Sequence, residues 1–90
     1  MTELFLTRDA VADLDALPPR LGEDVASTID ALRLDPESVG KQLRGRLAGL
    51  WVARVGSYRV LYTVEGSSRH GTRVIVRAVR HRSVAYRTRR

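Results

Sequence analysis

The sequence predicts an α+β fold: an N-terminal strand and an α-hairpin pack on one face of a small antiparallel β-sheet, and a short basic turn or helix follows at the C-terminus. Three observations lead to this prediction. Apolar residues recur at helical spacing between residues 8 and 34, strand-like runs fill residues 50–64 and 72–79, and the two patterns do not overlap. The 90 residues suit a single domain, 1–90.

The centre of the chain, residues 44–65, predicts a β-hairpin. The dipeptide Gly56-Ser57 separates two runs rich in valine, leucine and aromatic residues, and glycine in the first central position is typical of a two-residue type II′ turn. The register that this turn imposes places Arg54 directly opposite Arg59. Like charges paired across two strands repel each other, so we interpret the pair as a receptor for an anion.

Alternation along these strands separates two faces of the predicted sheet. One face is apolar and should meet the core, with the aromatic residues buried rather than exposed for base stacking: Trp51, Ala53, Val55, Tyr58, Val60, Tyr62 and Val64. The other, here called the open face, should be the functional surface: Leu50, Val52, Arg54, Arg59, Leu61 and Thr63. In the last strand, alternation assigns Val74, Val76 and Ala78 to the core and the following residues to the open face: Arg73, Ile75, Arg77, Val79 and His81.

The open face should also carry an apolar strip that is costly to expose on so small a domain. We expect a partner to cover this strip, which consists of Leu50, Val52, Leu61, Ile75 and Val79.

Two helices are predicted before the hairpin. Thr7 is a suitable N-cap for a helix that starts at Arg8 and ends at Pro18-Pro19. Its buried stripe should be Ala10, Val11, Leu14 and Leu17, with Asp9, Asp13 and Asp15 on the exposed side or in the first turns. A second helix should run from about Arg20 to Leu34 and bury Leu21, Val25, Ile29 and Leu32. Asp35-Pro36 closes it, because the residue before proline avoids the helical region, and residues 36–41 should form a loop.

Charge is divided unevenly along the chain. Residues 1–39 contain nine acidic and three basic side chains, whereas residues 40–90 contain thirteen basic and one acidic, within a net charge of +6. A basic half of this kind indicates a polyanionic partner. The alternative is an arginine-rich composition that reflects a genome rich in G and C, which the concentration of charge in one half disfavours.

Composition also excludes some kinds of site. The sequence has no cysteine, which excludes disulfides, zinc-thiolate sites and a thiol nucleophile and fits a reducing compartment. The N-terminal residues have no basic region and only three consecutive apolar side chains, so we expect neither a signal peptide nor a membrane span. The sequence therefore predicts a cytoplasmic protein.

The predicted elements come in the order of a strand, an α-hairpin and a three-stranded antiparallel meander. Three sequence blocks accompany this order: KQLRGRLAGLW at 41–51, RVGSYRVLY at 54–62 and HRSVAYR at 81–87. The order and the blocks together resemble the RelE/ParE superfamily of type II toxins. The leucine-tryptophan pair, the following arginine, the glycine turn and the tyrosine-arginine-valine run form the most specific part of this resemblance, which covers essentially the whole chain.

The resemblance to the RelE branch implies a ribonuclease that enters the ribosomal A site and cleaves mRNA there. The reaction is attack by a ribose 2′-hydroxyl on the adjacent phosphate, with no metal ion and no cofactor. The same resemblance implies that a cognate antitoxin wraps the toxin and blocks its basic face.

Five residues match functional positions of that branch. Arg59 matches the arginine that stabilises the transition state, Arg54 a basic residue of the same face, and Arg82 a basic position near the leaving oxygen. Tyr86 matches a tyrosine that orients or stacks on the substrate nucleotide and can take part in proton transfer, while His81 offers an imidazole suited to acid-base chemistry. Contacts with RNA or the ribosome are expected from Lys41, Arg44, Arg46, Arg73, Arg77, Arg80 and Arg87. Two alternative interpretations remain. Arg54 and Arg59 could be ordinary solvated strand residues, and Tyr86 could cover the core rather than contact a substrate.

One position departs from the resemblance. Relatives that cleave efficiently often carry a basic residue where this chain has Val52, and valine can neither accept a proton nor hold a phosphate. Arginine stays charged and is a poor general base. Either His81 or Tyr86 then supplies proton transfer, or cleavage is weak and depends on positioning by the ribosome.

Two other functions are compatible with the same residues. A ParE-like toxin would keep the fold and inhibit DNA gyrase by binding, without nuclease activity. A non-catalytic RNA-binding module would use the basic face only for docking. The ribonuclease is favoured because Arg59, Arg82 and Tyr86 occur together.

Overall fold

The computed structural model describes residues 2–67 and 71–86 and shows an α+β fold, as predicted. The elements in chain order are β1 (Thr2–Leu6), α1 (Arg8–Asp15), α2 (Pro19–Leu34), α3 (Pro36–Val39), β2 (Lys41–Gln42), a 3₁₀ turn (Gly45–Leu47), β3 (Trp51–Val55), β4 (Tyr58–Ser67) and β5 (Gly71–His81). The sheet order is β1-β5-β4-β3-β2. Strands β3, β4 and β5 form the expected antiparallel meander, and β1 joins its edge parallel to β5.

The predicted helix boundaries agree closely with the structure. Thr7 caps α1, because its Oγ1 accepts a hydrogen bond from the Ala10 amide at 3.1 Å. The prediction of a loop after Asp35 is wrong. Proline is tolerated in the first turn of a helix, and Pro36 begins the short helix α3, whose N-cap Asp35 accepts from the Ser38 amide.

The core lies between the two longer helices and one face of the sheet. The predicted stripe of α2 and the predicted apolar face of the hairpin both pack there. Trp51 stacks on Tyr62 across the β3–β4 pair, with ring centroids 6.2 Å apart. The assignment of Val11 to the buried stripe of α1 is wrong, because its side chain is 44% exposed.

Tyr62 ties the sheet to helix α3. The fully buried phenol donates a hydrogen bond to the Pro36 carbonyl at 2.5 Å. Burial, reinforced by the charges of Asp35 and Glu37 and partly offset by a hydrogen bond from the Gly40 backbone, raises the pKa of Tyr62 to about 12. A Cβ on Gly40 would collide with the Tyr62 hydroxyl and lie 2.7 Å from the Val52 carbonyl oxygen, so this close approach requires glycine.

The hairpin has the predicted turn and register. Gly56 has φ +58° and no described residue other than glycine has a positive φ, which fits glycine in the first position of a type II′ turn. Arg54 pairs with Arg59 as expected.

A β-bulge in β5 changes which side chains share the open face. Leu61 pairs with Ala78, whereas Tyr62 pairs with Val76, so Arg77 has no partner of its own in β4. An extra residue of this kind shifts the alternation of every later side chain. The assignments beyond the bulge are therefore wrong: Val79 is 3% exposed in the main core, and Ala78 packs with Val52 and Leu61 on the open face.

The prediction of an exposed apolar strip is also wrong for the residues in the middle of that strip. Val52 and Leu61 are 8% and 6% exposed, because Leu43 packs on them from the segment between β2 and β3. A hydrogen bond of 2.8 Å from the Leu43 amide to the Leu50 carbonyl closes that segment. The exposed apolar side chain toward the other edge is Phe5, which pairs with Ile75.

Candidate functional site

Three arginines form a row across neighbouring strands of the open face. Arg54 on β3 pairs with Arg59 on β4, and Arg59 pairs in turn with Arg80 on β5. Directly paired side chains on one face have Cβ atoms about 4.5–5.5 Å apart. We call Arg54, Arg59 and Arg80 the arginine row. The bulge creates it, because without the extra residue Arg80 would lie on the helix side.

Arg59, at the centre of the row, is a buried cation. It is 8% exposed, and its Nη1 donates to the Gly56 carbonyl at 3.0 Å and to the Tyr58 carbonyl at 2.8 Å. These bonds fix the guanidinium against the hairpin turn and leave Nε and Nη2 as further donors. Among the described residues no carboxylate forms an ion pair with the row. A buried charge without an opposite charge is costly, so the row is suited to receive an anion.

The sequence predicted Arg80 only as a general RNA contact. Its position beside Arg59 in the row was not predicted. It is partly buried, and its Nε lies out of solvent with no hydrogen-bond partner in the described structure. A buried donor left in this way is unfavourable by about 1–3 kcal/mol. The spacing of Val74, Val76 and Val79 could have revealed the bulge, because only a shift in alternation buries all three valines.

The segment after β5 begins beside the hairpin tip, because the last β4–β5 pair is Tyr58 with His81. The Arg82 amide donates to the Ser57 carbonyl at 2.7 Å, and Ala85 is 2% exposed. Arg59 uses the carbonyl of Gly56, so both arginines are attached to the same tight turn. The structure thus brings Arg82 to the tip of the hairpin that carries Arg54 and Arg59, and it leaves Tyr86 41% exposed at the end of the described chain.

His81 does not lie beside the arginines, and its predicted position on the open face is wrong. The bulge turns its side chain to the helix side, where the ring meets Tyr58 edge-to-face at 5.4 Å between centroids. Its Nδ1 accepts a hydrogen bond from the Ser83 amide and contacts Ser83 Oγ. Since an acceptor nitrogen is unprotonated, this arrangement favours the tautomer with the proton on Nε2.

The remaining basic residues divide into two groups. Arg73 and Arg77 lie on the open face as predicted, but they pair at 3.9–4.0 Å with Glu3 and Glu65, which lowers the positive charge toward the β1 edge. Lys41, Arg44 and Arg46 are exposed near the opposite edge, in and after β2. Arg87 lies outside the described residues.

Residues 2–67 and 71–86 contain neither a candidate metal site nor a candidate membrane-spanning helix. No group of three or more histidine or acidic side chains in these residues could hold a metal ion. No helix in the same residues is long and apolar enough to cross a membrane.

Comparison with known proteins gives one consistent result. Residues 4–86 match the family described as ParE toxin of type II toxin-antitoxin system, parDE. This match covers nearly the whole chain. The chain belongs to the RelE/ParE toxin superfamily.

Individual relatives of this RelE/ParE protein support the assignment. The chain is 45% identical over 82 residues to Toxin RelG of Mycobacterium tuberculosis. The aligned region covers 90% of this chain and 91% of that protein. It is 35% identical to Toxin RelE of the same organism over 91% of this chain and 82% of that protein. Among solved structures, a chain of the M. tuberculosis toxin-antitoxin complex RelBE2 matches with a TM-score of 0.77 and 40% identity, over 89% of this chain and 96% of that chain.

Proposed function

We propose that this RelE/ParE toxin is a ribosome-dependent mRNA endonuclease. The observation that supports this proposal is the arginine row, in which a buried guanidinium and its two neighbours face one surface and form no ion pair with a carboxylate of the described residues. A phosphodiester supplies the negative charge that such a row lacks. The basic half of the chain supplies wider attraction to RNA.

The reaction needs charge stabilisation above all. The ribose 2′-oxygen attacks phosphorus, the bond to the 5′-oxygen breaks, and the products are a 2′,3′-cyclic phosphate and a 5′-hydroxyl. Charge develops on the phosphoryl oxygens during this step, and preorganised donors stabilise it most effectively. Arg59 fits this task, because its bonds to two carbonyls hold the guanidinium while Nε and Nη2 remain available.

The other proposed contacts surround Arg59. Arg54 and Arg80 hold the phosphate or the next phosphate along the strand from either side. Arg82, attached to the hairpin turn, lies near the leaving oxygen, and exposed Tyr86 stacks on or orients the nucleotide. The basic surface continues toward the β2 edge, where three exposed side chains would contact the ribosome: Lys41, Arg44 and Arg46.

Proton transfer is where this chain departs from efficient relatives. Val52 packs against Leu61 and Ala78 on the open face beside the row, and His81 faces Tyr58 rather than the arginines. Arginine does not release a proton at neutral pH. Cleavage should therefore depend on electrostatic stabilisation and on positioning of the mRNA by the ribosome, with Tyr86 as the proton-transfer candidate.

A cognate antitoxin is the proposed protein partner. The structural relative RelBE2 is a toxin-antitoxin complex. In this chain the open face combines exposed Phe5 with the arginine row, which has no ion pair to a carboxylate in the part of the chain that the structure describes, and an acidic segment with an apolar anchor would suit it. Such a segment would neutralise the toxin by covering the arginine row.

A second function, inhibition of DNA gyrase by binding, is favoured by a different observation. The family that matches residues 4–86 is described as the ParE toxin, and the chain lacks a basic residue at Val52. Under this alternative the open face binds protein rather than RNA.

Primer extension on mRNA from cells that express the toxin separates the two functions. Cuts in phase with codons support cleavage, whereas intact message accompanied by DNA damage would refute it in favour of gyrase. Replacing Arg59 with methionine, which keeps a stem of similar length, should lower cleavage about 100- to 1000-fold on programmed ribosomes. Arg33, exposed in the last turn of α2, offers the matched control: Arg33→Met should cleave as the wild type does.

A further inference from the structure

The bulge in β5 is held from outside the sheet. Strand β1 ends at Leu6, opposite Val76, so beyond that residue no strand of the described chain lies on the β1 side of β5. Two backbone groups there are bonded instead by residues at the start of helix α1 and within it. Thr7 Oγ1 donates to the Arg77 carbonyl at 3.1 Å, and Asp13 Oδ2 accepts from the Val79 amide at 3.0 Å.

One of these bonds is to the carbonyl of Arg77, the residue that has no partner in β4, and the other is to the amide two residues later. The Thr7 amide also donates to the Val76 carbonyl at 3.0 Å, so the N-cap of α1 and the bulge are joined at two points. The Asp13 bond spans 66 positions of sequence and attaches the helix to the first core residue beyond the bulge. Val79 enters the core, and the next side chain, Arg80, joins the arginine row.

We propose that Asp13 is a positioning residue for the arginine row. By accepting the Val79 amide it holds the register in which Arg80 stands beside Arg59. Asp13 lies in the helix and on the far side of β5 from β4, so it acts through the backbone rather than on the substrate. This inference rests on the proposed function, because its consequence for cleavage requires that the row binds the scissile phosphate.

Electrostatics alone makes the opposite prediction. An acidic side chain near a basic site repels RNA, so loss of its charge should strengthen binding and speed cleavage. Positioning instead requires an acceptor oxygen, which asparagine keeps and alanine lacks. Asp13→Asn and Asp13→Ala therefore differ under the positioning role and agree under the electrostatic one.

The experiment measures single-turnover mRNA cleavage on programmed ribosomes for both variants. Asp13→Ala should slow cleavage about tenfold, as a small misplacement of a contact group does, and Asp13→Asn should stay within about twofold of the wild type. Asp15 is exposed in the last turn of the same helix. Asp15→Ala removes an equal charge and should leave the rate unchanged.

A double-mutant cycle with Arg80→Met tests whether the effect passes through the row. In that background Asp13→Ala should cause no further loss. An equal loss in both backgrounds, or equal rates for Asp13→Ala and Asp15→Ala, would overturn the positioning role. If Arg80→Met alone leaves the rate unchanged, the proposed function of the row fails instead.

A measurement on the unaltered toxin protects the test against a variant that does not fold. In the NMR spectrum a scalar coupling across the hydrogen bond should connect the Val79 amide nitrogen to the Asp13 carboxyl carbon. Contacts between the rings of Tyr58 and His81 should report the shifted register. Absence of the coupling while those ring contacts are present would show that the bulge forms without Asp13 and would refute the inference.

Discussion

Replacement of Arg80 by methionine should stabilise the toxin while impairing its function. Arg80 stands next to buried Arg59 and has a buried Nε without a partner in the described structure. Two charges about 6 Å apart repel by about 3 kcal/mol at an effective dielectric of about 20. Solvent at this partly buried position reduces that figure, while methionine keeps the apolar stem and removes the unsatisfied donor. We expect a gain of about 1–2 kcal/mol in the free energy of unfolding.

Urea denaturation at about 0.05 M and about 0.5 M NaCl measures this gain, which should shrink at the higher salt because ions screen the repulsion. On heating, a gain of this size raises Tm by about 4–8 °C per kcal/mol in a domain of this length. Arg44, exposed and outside the row, provides the control: Arg44→Met should change neither quantity. A variant less stable than the wild type at low salt, or a gain that does not depend on salt, would refute the view of the row as a receptor for an anion.

Three further predictions concern the core and the chemistry. Tyr62→Phe should cost about 1–3 kcal/mol at pH 7, because it leaves the Pro36 carbonyl unpaired. A phenol whose pKa rises from 10.0 to about 12 on folding gives stability that is complete below pH 10 and is lost as pH rises to 12; wild type should therefore lose about 1.4 kcal/mol relative to Tyr62→Phe by about pH 11 in urea denaturation. Gly40→Ala should destabilise by about 1–3 kcal/mol through its collision with the Tyr62 hydroxyl. Gly22 lies in α2, and apart from its chain neighbours and the backbone of its own helix no described atom lies within 4 Å of a new Cβ there, so Gly22→Ala should stabilise by about 0.5–1 kcal/mol in the same assay. His81→Asn should keep ribosomal cleavage within about threefold, since a lost general acid or base would slow it about 100-fold or more.

Local patterns in the sequence predicted much of this protein. The turn at Gly56-Ser57 and the pairing of Arg54 with Arg59 follow from backbone preferences and strand alternation over a few residues. The helix boundaries follow equally from a cap and from prolines. The resemblance to RelE/ParE toxins, carried by residues in the same hairpin, agreed with the family match over residues 4–86.

Tertiary structure decided what alternation could not. The bulge forms where β1 has ended, and it is fixed by bonds from α1 to residues 66 and 70 positions later in the chain. It also allows Val79 to enter the core, which strict alternation would have filled with Ala78. Because a shift of one residue moves every later side chain to the other face, this distant contact determined that Arg80 rather than His81 joins Arg59. The position of Arg59 between Arg54 on β3 and Arg80 on β5 likewise joins three strands, which no local window of sequence contains.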